Sequence, residues 1–270
     1  RAVFDDLAEI DRLGMLNDAW ALGEAGEVPI TNYLELAAAI GSDSHPFIVI
    51  QLARTLVSID RLLDGSGVQA EWRAYARQRL RPTFERIGWL PVEGEVEGVA
   101  LLRETLIRAL GRLDDPDVIA EARARFARGA KVPEALPSAI HRPVQDTVAL
   151  HADRDAWNEI RDRAKAASGP VERQRLLLAL GAARDPALAA RTLELALTQE
   201  IPVAFAANVI AASDKDLAAM FATEKTMDEK FAGGQWLNRE TGSPVLTTAA
   251  VAFDCRIREI RPVDGERWRA

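Results

Sequence analysis

Ala109-Leu110-Gly111-Arg112-Leu113-Asp114-Asp115-Pro116 returns seventy residues later as Ala179-Leu180-Gly181-Ala182-Ala183-Arg184-Asp185-Pro186, and the reading of this pair decides the fold. Each copy reads as the joint of an αα-hairpin. One helix ends on a left-handed residue at the glycine, a four-residue link swings the chain round, Asp caps the next helix, and Pro takes its first position. A weaker copy lies between them, as Ala149-Leu150-His151 followed by Asp155-Ala156. There His151 stands where the others have glycine, and histidine enters the left-handed region more readily than most residues.

The copies are spaced by 40 and 30 residues, the period of helical-hairpin repeats whose pairs bury their apolar faces only by stacking on neighbours. Outward from them, apolar residues recur at three- and four-residue steps, as in Leu176, Leu177, Leu180 and in Leu188, Leu193, Leu197, while period-two alternation is scarce. Turn signals fall at helix length: Gly26 before Pro29, Asp64-Gly65-Ser66-Gly67, Ser168-Gly169-Pro170. The expectation is an all-α chain. It forms a curved, right-handed superhelical stack of αα-hairpins, HEAT- or armadillo-like, with one concave face and a single domain over residues 1–270. Residues 233–270 fit this pattern least; between 243 and 255, Val245, Val251 and Phe253 with Thr247-Thr248 predict a short strand or an irregular segment.

With 270 residues, 48% hydrophobic and 28% charged, the chain can bury a sizeable core. Its 34 bases are outnumbered by 41 acids and spread along the chain, so nucleic acid is excluded as a partner class. No run approaches the ~18 apolar residues of a membrane span. A lone Cys255 cannot form an internal disulfide, which favours a cytoplasmic setting without fixing the compartment. The opening Arg1-Ala2-Val3-Phe4-Asp5-Asp6 reads as part of a longer soluble polypeptide. Within the first helix, Val3, Phe4, Leu7 and Ile10 form an apolar stripe that Leu13, Leu16 and Trp20 continue, more than one neighbouring helix covers.

The chain carries no constellation for catalysis. Its histidines, His45, His141 and His151, stand apart with no second ligand four residues on, so no zinc site is expected. His45 and His141 read as helix entries ahead of Pro46 and Pro143. Ser42-Asp43-Ser44-His45 has the residue types of a hydrolase triad, but triad members converge from separate elements and no nucleophile elbow exists, so it reads as a helix cap. Glu93, Glu95 and Glu97 precede a helix beginning near Val99 and suit its positive end. Trp20, Trp72 and Trp157 read as core, as does Cys255. Catalytic and metal-binding residues are therefore none, and no substrate-binding residue is assigned.

Several segments together resemble one family. These are Asp11-Arg12-Leu13, Tyr33-Leu34, Gly88-Trp89, Leu101-Leu102-Arg103, Ala122 with Phe126, Arg142-Pro143-Val144, Trp157, Glu172-Arg173, Leu178-Ala179-Leu180-Gly181, Asp185-Pro186, Arg191 and Val209-Ile210. In order and spacing, over roughly residues 8–232, they are similar to the C-terminal domain of the gluzincin aminopeptidases, the family of aminopeptidase N, puromycin-sensitive aminopeptidase and the endoplasmic-reticulum aminopeptidases. The resemblance implies a parent protein that releases N-terminal amino acids from peptides with zinc, a glutamate base and a tyrosine. It implies two partners for this domain: the catalytic domain of the same polypeptide and the peptide substrate. The zinc and its ligands lie in that catalytic domain, so no cofactor is expected here. A free-standing helical-repeat scaffold binding a protein or peptide on its concave face is the alternative.

Overall fold

A computed structural model describes residue 4 and residues 7–129, 132–196, 198, 200–201, 236–238 and 244–246. Among them are ten α-helices: α1 Glu9–Glu24, α2 Thr31–Ala37, α3 Pro46–Leu62, α4 Gln69–Ile87, α5 Val99–Arg112, α6 Pro116–Gly129, α7 Ser138–Leu150, α8 Arg154–Ala166, α9 Pro170–Leu180 and α10 Pro186–Ala196. The all-α expectation holds apart from β1 Trp236–Asn238, which pairs antiparallel with β2 Pro244–Leu246 in the register Leu237 to Val245. β2 falls inside the stretch predicted to contain a strand; Val251, Phe253 and Cys255 lie outside the described residues. The chain divides into two compact units, residues 1–156 and 157–270.

The core of the first unit is built on α3, α5 and α7. Val99, Leu102, Leu106, Ile107 and Leu110 follow the helical period along α5 and are all buried. Ile48, Val49, Leu52, Ala53 and Leu56 do the same on α3. Burying a side chain of this size contributes roughly 1.5–3 kcal/mol, so these stripes outweigh any local propensity. In the second unit, buried Trp157 donates its indole N–H to Thr192 Oγ1 at 2.9 Å. The Thr192 hydroxyl lies 2.9 Å from Leu188 O and 3.1 Å from Leu180 O, and its proton serves one of these carbonyls.

The hairpin joints are real, but three details differ from expectation. Gly111 is helical and not left-handed. The left-handed residue is Asp114, with φ 59°. Its N–H donates to Gly111 O and that of Asp115 to Leu110 O at 3.0 Å, the paired bonds of a Schellman ending. Gly181 and His151 likewise have negative φ, −73° and −105°. Gly111 is required for closeness instead: a Cβ there would lie 2.7 Å from Thr147 Cγ2 on α7.

The caps form the second difference. Asp115 and Asp185 cap as expected, accepting from Val118 N at 3.1 Å and Ala187 N at 2.8 Å. In the middle copy the cap is Asp153, which accepts from Ala156 N at 2.9 Å, and α8 starts at Arg154 ahead of Asp155. An acceptor two residues earlier satisfies the free amides and shortens the link.

The third difference lies at the start. α1 begins at Glu9, so Phe4 and Leu7 precede it and the expected stripe is not one helical face; Val3 lies outside the described residues. Phe4 and Leu16 are buried, whereas Ile10 is exposed. His141 and Pro143 lie inside α7, which starts three residues before His141.

Filling the Gly111 contact should loosen the α5–α7 packing. Gly111→Val is expected to lower unfolding free energy by about 2 kcal/mol, the usual range for overpacking. Gly14→Ala, in mid-α1 with open space around its Cβ, should raise it by about 0.5–1 kcal/mol. Urea titrations followed by circular dichroism measure both.

Candidate functional site

Arg73, Arg77 and Arg81 are spaced by four residues and so share a face of α4. That face meets the joint between α5 and α6. Arg73 grips Asp60 of α3 with both carboxylate oxygens, at 2.6 and 3.1 Å, and also donates to Asp114. Arg77 donates to the Leu113 carbonyl at 2.6 Å and lies 3.3 Å from that of Asp114. Arg81 forms a fork with Asp115 at 2.7 and 2.8 Å and reaches Asp117. His151 approaches the same joint from the end of α7, its Nε2 2.7 Å from Gly111 O.

Asp115 is wholly buried, which pushes its carboxyl up. The fork from Arg81 and the Val118 amide outweigh that and hold it below the usual carboxylate range. Arg81 is correspondingly raised, first by its bond to Asp115.

A fourth arginine ties the preceding joint, between α4 and α5. Arg103 on α5 is buried to 1% exposure, donates to Gly88 O at 3.0 Å and Ile87 O at 3.2 Å, and pairs with Glu95. Its hydrogen bonds hold the Glu95 carboxyl below its ordinary value. So Glu95 is fastened to a side chain one turn into α5 and does not simply face the helix N-terminus, while Glu93 and Glu97 remain exposed. Tyr33 is buried between α1 and α3, and desolvation pushes its hydroxyl up to about 12.

The residues singled out in the sequence take these places. Nδ1 of His45 accepts from Phe47 N at 3.4 Å and Ser44 Oγ accepts from Gly41 N at 3.1 Å, so Ser42–His45 forms the entry to α3 and no triad. Trp72 donates to Leu56 O at 3.1 Å, and Trp20 packs edge-on against Tyr33. Trp89 sits between Phe84 and the Arg125 guanidinium. Among the described residues no three His, Cys, Asp or Glu side chains come together as a metal-binding group. A cavity of about 500 Å³ lies along α2, and the described residues that line it are Phe4, Asn32, Glu35, Leu36, Ala38 and Ala39. Among the described residues that line it, none is a base able to work with Glu35.

What this site does chemically is hold. Each arginine of the clasp is spent on a carbonyl or a carboxylate. Sequence reasoning missed it, although the four-residue spacing of Arg73, Arg77 and Arg81 was visible.

The family of the ERAP1-like C-terminal domain matches residues 1–232. Aminopeptidase M1-A of Oryza sativa subsp. japonica is 27% identical over 203 residues, which cover 72% of this chain and 23% of that protein. A local similarity links the chain to FMN reductase (NADH) RutF of Variovorax paradoxus, 50% identical over 50 residues, or 18% of this chain and 28% of that enzyme. RutF of Cronobacter sakazakii is 41% identical over 56 residues, 21% of this chain and 34% of that enzyme. The chain thus spans about a quarter to a third of the length of these relatives.

Two tests address the clasp. Arg103→Met leaves Glu95 unpaired and two carbonyls unserved, and should destabilise the fold by about 3 kcal/mol in urea titration. Glu95 and Asp115 have depressed folded values. Their contribution is therefore complete above the unfolded carboxylate range near pH ~4 and is lost as pH falls through the folded values. The melting temperature should hold from neutrality to about pH 5 and drop below about pH 4, less steeply in Glu95→Gln.

Proposed function

This chain belongs to the family of ERAP1-like C-terminal domains, and from that premise we propose that it covers the active-site cleft of a zinc-dependent aminopeptidase and shapes which peptides enter. The observation that carries this reading is the family match over residues 1–232. The partners are then the catalytic domain of the same polypeptide and the peptide substrate.

The residues present do not fit a zinc ion. His45 spends Nδ1 on a backbone amide at the start of α3, His151 spends Nε2 on a backbone carbonyl at the end of α7, and His141 lies ten residues earlier, inside that helix. The metal belongs to the catalytic domain, and no step is assigned to this chain. Its contribution is shape, which suits a domain whose charges are committed to holding its own joints.

A second reading is supported by the local similarity to flavin reductases. Fifty residues of the chain are 50% identical to part of such an enzyme. Covering 28% of the reductase, that segment is too short to supply a whole flavin-binding fold.

The purified chain should hydrolyse no aminoacyl-4-nitroanilide, retain no stoichiometric zinc after dialysis and oxidise no NADH with added FMN. Mixed with the catalytic portion of its parent, it should alter the length dependence of peptide hydrolysis. Zinc-dependent turnover by the chain alone would overturn the first reading, and FMN-dependent NADH oxidation would promote the second.

A further inference from the structure

The cavity along α2 carries two polar side chains that the fold does not use. Asn32 and Glu35 stand three residues apart on one face of the helix, and both line it. Neither side chain is engaged in a hydrogen bond or an ion pair with a described residue. The rest of the described lining is apolar: Phe4, Leu36, Ala38 and Ala39. Asn32, Glu35 and Ala38 are exposed, so the cavity opens to water, and its 500 Å³ lies within the range that small ligands occupy.

The surrounding sequence carries one sign of charge. Residues 7–44 hold seven acids and a single base, Arg12, whose Nε donates to Leu7 O. From α4, Arg79 reaches the end of α2, where its Nη2 is held by the carbonyls of Ala37 and Ile40. Ala38 and Ala39 follow the last turn of α2, and among the described residues nothing donates to their carbonyls. An anionic ligand would therefore meet a carboxylate and a field of its own sign, and a wholly apolar one would desolvate Glu35 without pairing it.

We infer that this cavity binds an organic cation on an aliphatic stem, the chemistry shared by a lysine or arginine side chain and an alkylamine. The stem lies along Leu36 and the two alanines, as such stems do on apolar surface, and the charged head stays at the wet mouth beside Glu35 and the Asn32 carboxamide oxygen. An exposed ion pair of this kind changes affinity by a factor of about two to five. The acidic surroundings add to it by raising the local concentration of cations. Nothing in this inference depends on the aminopeptidase reading, and the cavity is a binding site without a reaction.

Amide NMR titrations of the full chain test this, with the blocked tripeptide acetyl-Ala-Lys-Ala-amide, its norleucine and glutamate counterparts, and n-butylamine as probes. The lysine peptide should shift the amides of residues 32–39 with a roughly millimolar Kd. The norleucine peptide, with the same stem and no charge, should bind about threefold more weakly and the glutamate peptide more weakly still, and added salt should weaken the lysine peptide alone. Glu35→Gln should abolish the advantage of lysine over norleucine, and Ala38→Phe, which fills the cavity, should weaken both. Glu97→Gln, an exposed carboxylate in the α4–α5 loop, should leave both within about 1.5-fold. If Ala38→Phe melts early in circular dichroism, Glu35→Gln decides alone, because it replaces an exposed carboxylate by an amide of the same size. Tighter binding of the lysine peptide than of butylamine assigns the cavity to a polypeptide side chain, and the reverse assigns it to a free amine. Equal binding of the norleucine peptide, tighter binding of the glutamate peptide, a lysine advantage that survives Glu35→Gln, or no shift in residues 32–39 at about 10 mM probe would overturn the inference.

Discussion

A helix cannot bond its own last carbonyls, and the first unit is organised around supplying them with arginine. Arg79 donates to Ala37 O and Ile40 O behind α2, both at 2.9 Å, and Arg86 donates twice to Ser42 O. Arg103 serves the end of α4 and Arg77 the end of α5. The contacts of Arg79 with Ala37, of Arg103 with Ile87 and Gly88, and of Arg77 with Leu113 each place a cation at the negative end of a helix, worth a few tenths to about 1 kcal/mol on the dipole term alone. More important is geometry: a planar guanidinium reaching two acceptors fixes the angle at which the next helix leaves.

Such fastening explains the buried charges. An ion pair in an apolar interior is weak evidence for stability, because desolvation offsets much of the attraction. Arg103 with Glu95, and Arg81 with Asp115, persist because each also serves backbone groups that no apolar side chain could satisfy. Asp115 makes the point most plainly. It donates its N–H to close the Schellman bond of α5, caps α6 with Oδ1, and receives Arg81. One residue ends a helix, starts another and accepts a third, so the joint is defined by connection and not by chain propensity.

How much of this was legible follows from which interactions are local. The caps at Asp115 and Asp185 and the helix class were readable, since they involve neighbours in sequence and a repeating apolar period. The misread glycine shows the limit. Gly111 looked like a left-handed ending because a glycine before Asp-Pro commonly is one, whereas its reason lies on α7, thirty-six residues away at Thr147. The arginine partners were hidden for the same reason: Arg81 and Asp115 are separated by 34 residues, and nothing in the spacing of one names the other. The expected start of α1 failed because apolar residues at helical spacing also fit a segment that tucks Phe4 inward before the helix begins.

The family match and the clasp illuminate each other. Gly88-Trp89 and Leu101-Leu102-Arg103 were recognised as an ordered pair of motifs without a reason for their pairing. The structure supplies it, since Arg103 donates to the carbonyl of Gly88 and Trp89 packs on Phe84 and Arg125 beside the same turn. A motif that looked like a signature of function is a signature of a joint. That distinction bears on where function can reside: among the described residues recognisable in order and spacing, Leu102, Arg103, Ala122, Phe126, Val144 and Trp157 are buried, and Arg103 ties the end of one helix to the start of the next. A surface meant for a partner must therefore be sought among side chains the fold does not use for itself.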